Sequence, residues 1–392
     1  AELGNWRIWD IERGLGVNAN AATLYPDASS TEGNPSPSVT ISATGFSVAG
    51  IPFTGSDVAY VAIRRGPMKT PTDATTVFMP AVYTGTNVDN RLVNTTIAPD
   101  MVMIRQRNDT VVTGMVVGDK VRNVPYLLTG ATSVQNSDAD SLMSPTSGDG
   151  RPFSAMNGVG VGNDVTAKLN ANTTSNNHVV HAFKRAPGFF DIVSYVGNGS
   201  GSGQAINHNL TVAPELIISK RTSVATSDWA VYHKDASLLS LNATSAAGYV
   251  GTIGNLPTST TFNTEIVRSA SGVEANVNSG TYIAYLFATC PGVSRVGTYT
   301  GNGSSLQVNC GFSAGARYVL IKRTDSTGGW YVFDSARGLS TGNDPFLFLH
   351  NANAENTGND FLTSYAPGFE ITISAASDIN ISGATYIYLA KA

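Results

Sequence analysis

The chain reads as an all-β protein built of tandem β-sandwich modules, and three observations lead there. The hexapeptide Tyr195-Val196-Gly197-Asn198-Gly199-Ser200 returns as Tyr299-Thr300-Gly301-Asn302-Gly303-Ser304, a step of 299 − 195 = 104 residues. That step is too long for a solenoid coil and suits a small complete domain. Short alternating apolar runs are separated by turn residues, and no stretch of ten residues carries a convincing helical period. The composition, 42% hydrophobic and 13% charged with 40 glycines, describes many strands and turns and fits neither disorder nor a coiled coil. Within the hexapeptide, Asn-Gly follows a strand-like run, and both residues accept the positive φ of a tight turn, so each copy marks the first hairpin of a module.

At 392 residues the chain holds several domains of ordinary size. Four modules follow from the punctuation: residues 1–68, 69–187, 188–290 and 291–392, here A to D. Module A opens with Trp6-Arg7-Ile8-Trp9-Asp10-Ile11-Glu12-Arg13-Gly14-Leu15, which shares the pattern W-x-[IV]-[WF]-D-x-x-R-G-L with Trp330 to Leu339 in module D. Alternating large apolar residues predict a strand with one buried face, left by a turn at the Asp and Arg-Gly. In module D this strand lies downstream of the Asn-Gly hairpin, so module A is expected to be an incomplete sandwich lacking its opening strands: either the chain is a piece of a longer polypeptide, the preferred reading, or those strands come from elsewhere. A second strand is expected over 58–63, with the exit at Arg64-Arg65-Gly66-Pro67-Met68.

Module B follows the Pro/Thr-rich linker 70–76 and keeps only a degenerate Tyr83-Thr84-Gly85 of the hairpin. Its run Ala98-Pro99-Asp100-Met101-Val102-Met103-Ile104-Arg105 matches Ala213-Pro214-Glu215-Leu216-Ile217-Ile218-Ser219-Lys220 in module C, with Pro where a strand starts and a missing N–H costs least. Residues 136–150 are rich in Ser, Asp and Gly and predict a long surface loop. Module C repeats the tryptophan strand as Trp229-Ala230-Val231-Tyr232-His233, and modules C and D end alike in Tyr282-Ile283-Ala284-Tyr285-Leu286-Phe287 and Tyr386-Ile387-Tyr388-Leu389. The junctions at Pro67, Pro187 and Pro291 are short, so neighbours pack in a fixed relation. Sandwiches in a row predict an elongated array.

Little in the chain points to chemistry. A net charge of −4 without a basic run gives no footprint for nucleic acid. The longest strongly apolar segment, 282–288, falls far short of the roughly 18 residues that span a bilayer. His178, His181, His208, His233 and His350 are scattered without metal-ligand spacing, and His178 and His181 point to opposite faces of one strand. Asp138 and Asp140 resemble half of a calcium loop, but its Gly and closing Glu are missing, and the pair is read as part of a solvated loop. Cys290 and Cys310 are read as packed, reduced thiols rather than a bridge. No nucleophile elbow or phosphate loop is present. Lys220-Arg221 and Lys322-Arg323 recur at a matched strand end, facing solvent or a neighbouring module. Trp6, Trp229 and Trp330 are read as core rather than as a sugar-stacking platform. No catalytic, cofactor or metal residue is assigned, and no receptor-binding residue.

The opening Y-x-G-N-G-S, the strand A-P-E-L-I-I-x-K-R, the strand W-x-V-Y-H and the ending Y-I-A-Y-x-F-A followed by Pro-Gly together resemble the repeat modules of bacteriophage tail-fibre and related virion appendage proteins. Module C carries nearly all of these pieces, D most and B few, and residues 62–72 resemble a junction of such fibres. The resemblance implies a lectin-like or jelly-roll-type sandwich, a place in the virion among other tail or fibre proteins, and a homo-oligomer, a trimer. The leading expectation is a non-enzymatic spacer that presents loops to a host-surface receptor, a glycan. Two others stay open: a purely structural virion joint or decoration protein, and a depolymerase of surface polysaccharide, whose paired carboxylates need only be close in space. One departure is that His208 in module C is matched by Cys310 in module D, which argues against a role shared by all modules there.

Overall fold

Residues placed on alternating faces of each run fold as strands, and the order of those strands is the same in three modules. The computed structural model describes residues 6–10, 23–29, 38–41, 46–49, 59–62 and 69–392, the last without 89–90, 111, 123–124, 137–151, 154, 163–176, 202, 225–226, 248–252, 256, 265–274, 340–341 and 376–377. In module A, β1 (Ser38–Ile41) and β2 (Phe46–Ala49) form a hairpin. Module B comprises β3 (Phe78–Thr84), β4 (Arg91–Asn94), β5 (Met101–Gln106), β6 (Val116–Asp119), β7 (Tyr126–Leu128), β8 (Gly158–Val161) and β9 (Asn177–Phe183). Module C comprises β10 (Phe190–Val196), β11 (Gln204–Asn207), β12 (Leu216–Arg221), β13 (Trp229–His233), β14 (Ala236–Ser240), β15 (Ile253–Asn255), β16 (Thr261–Thr264) and β17 (Thr281–Phe287). Module D comprises β18 (Ser294–Thr300), β19 (Leu306–Asn309), β20 (Tyr318–Arg323), β21 (Trp330–Asp334), β22 (Phe346–Phe348), β23 (Leu362–Tyr365), β24 (Gly368–Ile371) and β25 (Thr385–Lys391).

Each of the three modules holds a five-stranded antiparallel sheet, in the orders β3-β9-β5-β6-β7, β10-β17-β12-β13-β14 and β18-β25-β20-β21-β22. A smaller sheet covers it, β4-β8, β11-β16-β15 or β19-β24-β23. The two sheets enclose a core of their own: in module C, Ile206 and Phe262 of the small sheet pack with Ile217, Ala230, Tyr282, Ala284 and Leu286 of the large one. Modules B and D have matching cores.

The alternate residues of the same strands are buried as well. Ile218, Val231, Ile283 and Phe287 of module C join Met103, Val117, Val179 and Phe183 of module B and Leu320, Val332, Ile387 and Leu389 of module D in one shared cluster. The large sheets are therefore covered on both faces, which explains why β17 reads as a continuous apolar run rather than an alternating one. The expected elongated array is corrected here. In an end-to-end row modules B and D stay apart, whereas the Phe78 and Tyr318 rings lie 5.3 Å apart and Arg317 donates to the Phe78 carbonyl. The three modules close into a ring because each large sheet has a second apolar face that a neighbour on one side alone does not cover.

The repeated hexapeptide is not a hairpin turn as expected: β10 pairs β17 and β11 pairs β16, with β18–β25 and β19–β24 likewise, so it carries the chain from the large sheet to the small one. In module C the Asn198 N–H donates to Asn276 Oδ1 at 2.9 Å, and Asn276 Nδ2 donates back to Asn198 Oδ1 at 2.9 Å and to the Ser200 carbonyl. Asn302 and Asn380 repeat this clasp in module D. A Cβ on Gly197 or Gly301 would lie 2.3 Å from a carbonyl of the facing loop, so that position admits only glycine. The preceding tyrosine stacks on the closing strand, Tyr195 on Tyr282 at 4.9 Å and Tyr299 on Tyr386 at 4.8 Å. In module B, where the hexapeptide is eroded, Tyr83 stacks on His178 at 4.7 Å. The junctions are tight turns, with Gly188 and Gly292 at φ 73° and bridges Ala186–Phe190 and Cys290–Ser294.

Module A departs from expectation where it is described. Residues 59–62 of the strand expected over 58–63 form no strand, and Tyr60 and Val61 are exposed because no described strand pairs with them. Residues 6–10 contribute a single bridge, Ile8 to Leu24, with Trp6 exposed, and 11–16 lie outside the described residues. The acidic pair Asp138 and Asp140 and most of the loop 136–150 lie outside them too.

Asn380 is fully buried. Replacing it by alanine leaves the Asn302 N–H and the Ser304 carbonyl without their partner and is expected to cost about 1–3 kcal/mol, read as a lower urea midpoint at unchanged slope.

Candidate functional site

The side chains that carry chemistry gather where modules meet, and they do so at equivalent positions. The strand pairings make Arg105, Lys220 and Lys322 one position and Met115, Trp229 and Trp330 another. Lys220 Nζ donates to the Thr132 carbonyl of module B, and Lys322 Nζ to the Thr244 and Ser245 carbonyls of module C. Trp229 Nε1 donates to the Leu128 carbonyl and Trp330 Nε1 to the Ser240 carbonyl, both at 3.0 Å. At the third contact, between B and D, Met115 has no donor to offer. There Arg105 bonds the Phe348, Asn351 and Asn353 carbonyls at 3.2, 2.8 and 2.6 Å. The matched basic pairs thus face inward with their first member. Burial, then the neighbouring Arg323, pushes the Lys322 amine down to about 8.

The Asp-x-x-Arg of the tryptophan motif forms a buried ion pair. Arg337 Nε lies 2.5 Å from Asp334 Oδ2 while its N–H bonds Oδ1, and Arg122 does the same with Asp119 in module B. Each pair meets the closing strand of another module. Tyr285 of module C donates to Asp119 Oδ2 at 2.7 Å and accepts from Arg122, and His181 of module B sits 2.8 Å from Asp334 Oδ2. Burial works to raise the Asp334 carboxyl, but Arg337 and His181 outweigh it and hold it well below the usual range. Burial lowers His181 below the ordinary imidazole value despite Asp334. Arg107 Nε and Arg337 Nη1 share Glu355, at 2.8 and 3.1 Å.

At the other end of the shared core three closing strands converge through Phe183, Phe287 and Lys391. Lys391 Nζ is fully buried with no hydrogen-bond partner, and it lies 4.2 Å from the Phe189 ring centroid, 5.0 Å from Phe287, 5.2 Å from Phe183 and 5.7 Å from Phe78. Cation–π attraction offsets part of the desolvation. Burial still pushes the amine down to about 7. Nearby, Lys69, Thr70, Asp73, Thr76, Lys184 and Arg185 line an open hollow of about 430 Å³. Arg185 is held by Asp191 at 2.5 Å, and Asp73 Oδ1 accepts from the Thr75 N–H and hydroxyl. Such a lining can hold an anionic group. It contains no paired base and nucleophile.

The residues singled out from sequence fall as follows. Trp229 and Trp330 are core, while Trp6 is exposed. His178 faces the module B core beside Tyr83 and His181 faces module D. His208 bonds the Thr258 carbonyl, and Cys310 packs under Tyr388, local partners that differ between the two modules. Burial pushes His233 and His350 down to about 4. Cys290 and Cys310 are both free and buried. Among the described residues no group of His, Cys, Asp or Glu is arranged to hold a metal ion, and no helix is long and apolar enough to cross a membrane. Sequence reading missed Arg105, His181 and Lys391. The one available signal was the Asp-x-x-Arg spacing, present at Asp119–Arg122 without its tryptophan.

The fold and these contacts define a repeat protein, three copies of one two-sheet module closed on each other. The chain belongs to the family described as a domain of unknown function (DUF7483), whose model matches residues 73–392. Neither the curated proteins nor the solved structures contain a significant match to it.

Two outcomes follow from this chemistry. Folded Lys391 holds its proton only below about 7, against about 10.5 when unfolded, so the unfolded chain binds more protons between those values and stability rises with pH across that window. Lys391→Met is therefore expected to raise stability by about 1–4 kcal/mol at pH 6 and by less at pH 9, measured by urea denaturation. Arg105→Met strands three carbonyls and is expected to cost about 3 kcal/mol by the same measurement.

Proposed function

We propose that this chain is a non-enzymatic structural component of a phage tail fibre or a similar virion appendage, serving as a spacer that presents loops to a host-surface glycan. The observation that supports this reading is the closed ring. Three copies of one module are joined through buried tryptophan, lysine and arginine contacts, so among the described residues these side chains serve architecture. The virion location and the partnership with other tail or fibre proteins rest on the resemblance of the repeats to those of tail fibres. Threefold closure, which that resemblance would assign to a homotrimer, is met within a single chain, so the shared core needs no second copy. In this reading an elongated appendage lengthens by stacking rings rather than by stringing modules.

The same consumption of side chains favours a second reading, a virion joint without a host ligand. Binding of the intact chain to whole host cells separates the two. Saturable binding competed by isolated host-surface glycan is the expected result, and no binding at micromolar concentration would leave the joint. Release of reducing ends from host polysaccharide would overturn the non-enzymatic reading altogether.

A further inference from the structure

The chain runs directly from module B to C and from C to D, but the contact between D and B is closed by side chains and hydrogen bonds alone. We propose that the contact around His181 is a proton-operated latch, in which uptake of one proton by His181 releases module D from module B and opens the ring at that seam.

The argument starts from charge balance. Around His181 two arginines, Arg107 and Arg337, face two carboxylates, Asp334 and Glu355, so the group is neutral only while His181 is neutral. Arg105 and Asp109 add one charge of each sign at the same seam, and His350, pushed by burial to about 4, stands beside Arg105. Asp334 already accepts the Arg337 N–H at 3.0 Å and Nε at 2.5 Å besides His181 Nε2 at 2.8 Å. The His181 ring is wholly buried, and its Nδ1 has no partner. On the remaining sides stand the Tyr318 ring, edge-on at 5.1 Å, and the uncharged strand neighbours Pro80 and Met103. A proton at Nδ1 therefore adds an unbalanced charge and an unsatisfied donor to a dry site, and separation of the modules hydrates both.

The equivalent position shows what a latch without this property looks like. At the seam between C and B the residue is Tyr285, which bonds Asp119 and Arg122 in the same manner and stays neutral, since burial raises its phenol further. At the seam between D and C the position is Leu389, and the carboxylate is replaced by His233, pushed by burial to about 4, so that seam also weakens in acid and the seam between C and B is the neutral reference. Because folded His181 lies below the ordinary imidazole value, closure is fully present above about 6.5 and weakens as pH falls below it.

Hydrogen exchange on the full chain, corrected for intrinsic rates, tests this at pH 7 and pH 5. The amides of Gly114 and Glu355 bond across the seam between B and D, and the Trp229 indole N–H bonds the Leu128 carbonyl across the seam between C and B. Gly114 and Glu355 are expected to exchange at least about tenfold faster at pH 5, with the Trp229 indole N–H unchanged. His181→Tyr, which copies the seam between C and B, is expected to abolish the difference, and Lys391→Met to retain it. Equal acceleration at the Trp229 indole N–H, no acceleration, or a pH effect that survives His181→Tyr would overturn the latch. So would an effect lost in Lys391→Met. If His181→Tyr does not fold, the comparison of the two seams in the unmodified chain decides the matter, together with the His181 ring titration by NMR.

Discussion

Burial of both faces of each five-stranded sheet is the constraint on which the rest of the molecule depends. One face is covered by the module's own small sheet, the other only by two neighbouring modules. A module standing alone would expose residues such as Ile218, Val231, Ile283 and Phe287, an apolar surface no soluble domain leaves uncovered. Two modules would still leave an open wedge. Three close it, and each module then contributes the same strands to the same kind of contact.

Closure brings polar groups into the dry centre, and the seams show how each is accommodated. Long basic side chains reach across and cap the carbonyls at the end of the neighbour's sheet, so a buried cation satisfies buried acceptors instead of standing unpaired. The Asp-x-x-Arg pairs carry internally balanced charge to the interface, where a tyrosine or histidine joins them. Lys391 is the exception, a cation held only by ring faces. Its place at the point where three closing strands converge leaves no carbonyl within reach and four aromatic rings around it.

Module B is the most diverged copy, and its changes are concerted. It lost the tryptophan that the other modules use and gained Arg105, which alone reaches three carbonyls. It carries His181 where module C has Tyr285. Both changes face module D, the neighbour to which B is not covalently joined. The divergence of module B is directed, among the described residues, toward another part of the same chain.

The sequence by itself determined the strands and the places of the turns in residues 69–392, because those depend on local turn chemistry and on alternation along each run. Asn198 and Asn302 marked the clasp positions before their partners Asn276 and Asn380 were known. Only the tertiary structure decided that modules form a ring rather than a row. A residue with one buried face and a residue between two buried faces look alike in a short apolar strand, and the cue in 282–287 is equally that of an ordinary buried strand. The same limit hid the roles of Arg105, His181 and Lys391. Their chemistry arises from groups far off in the chain, such as Asn351 for Arg105, Asp334 for His181 and Phe78 for Lys391, and no local pattern encodes a meeting that only closure of the ring brings about.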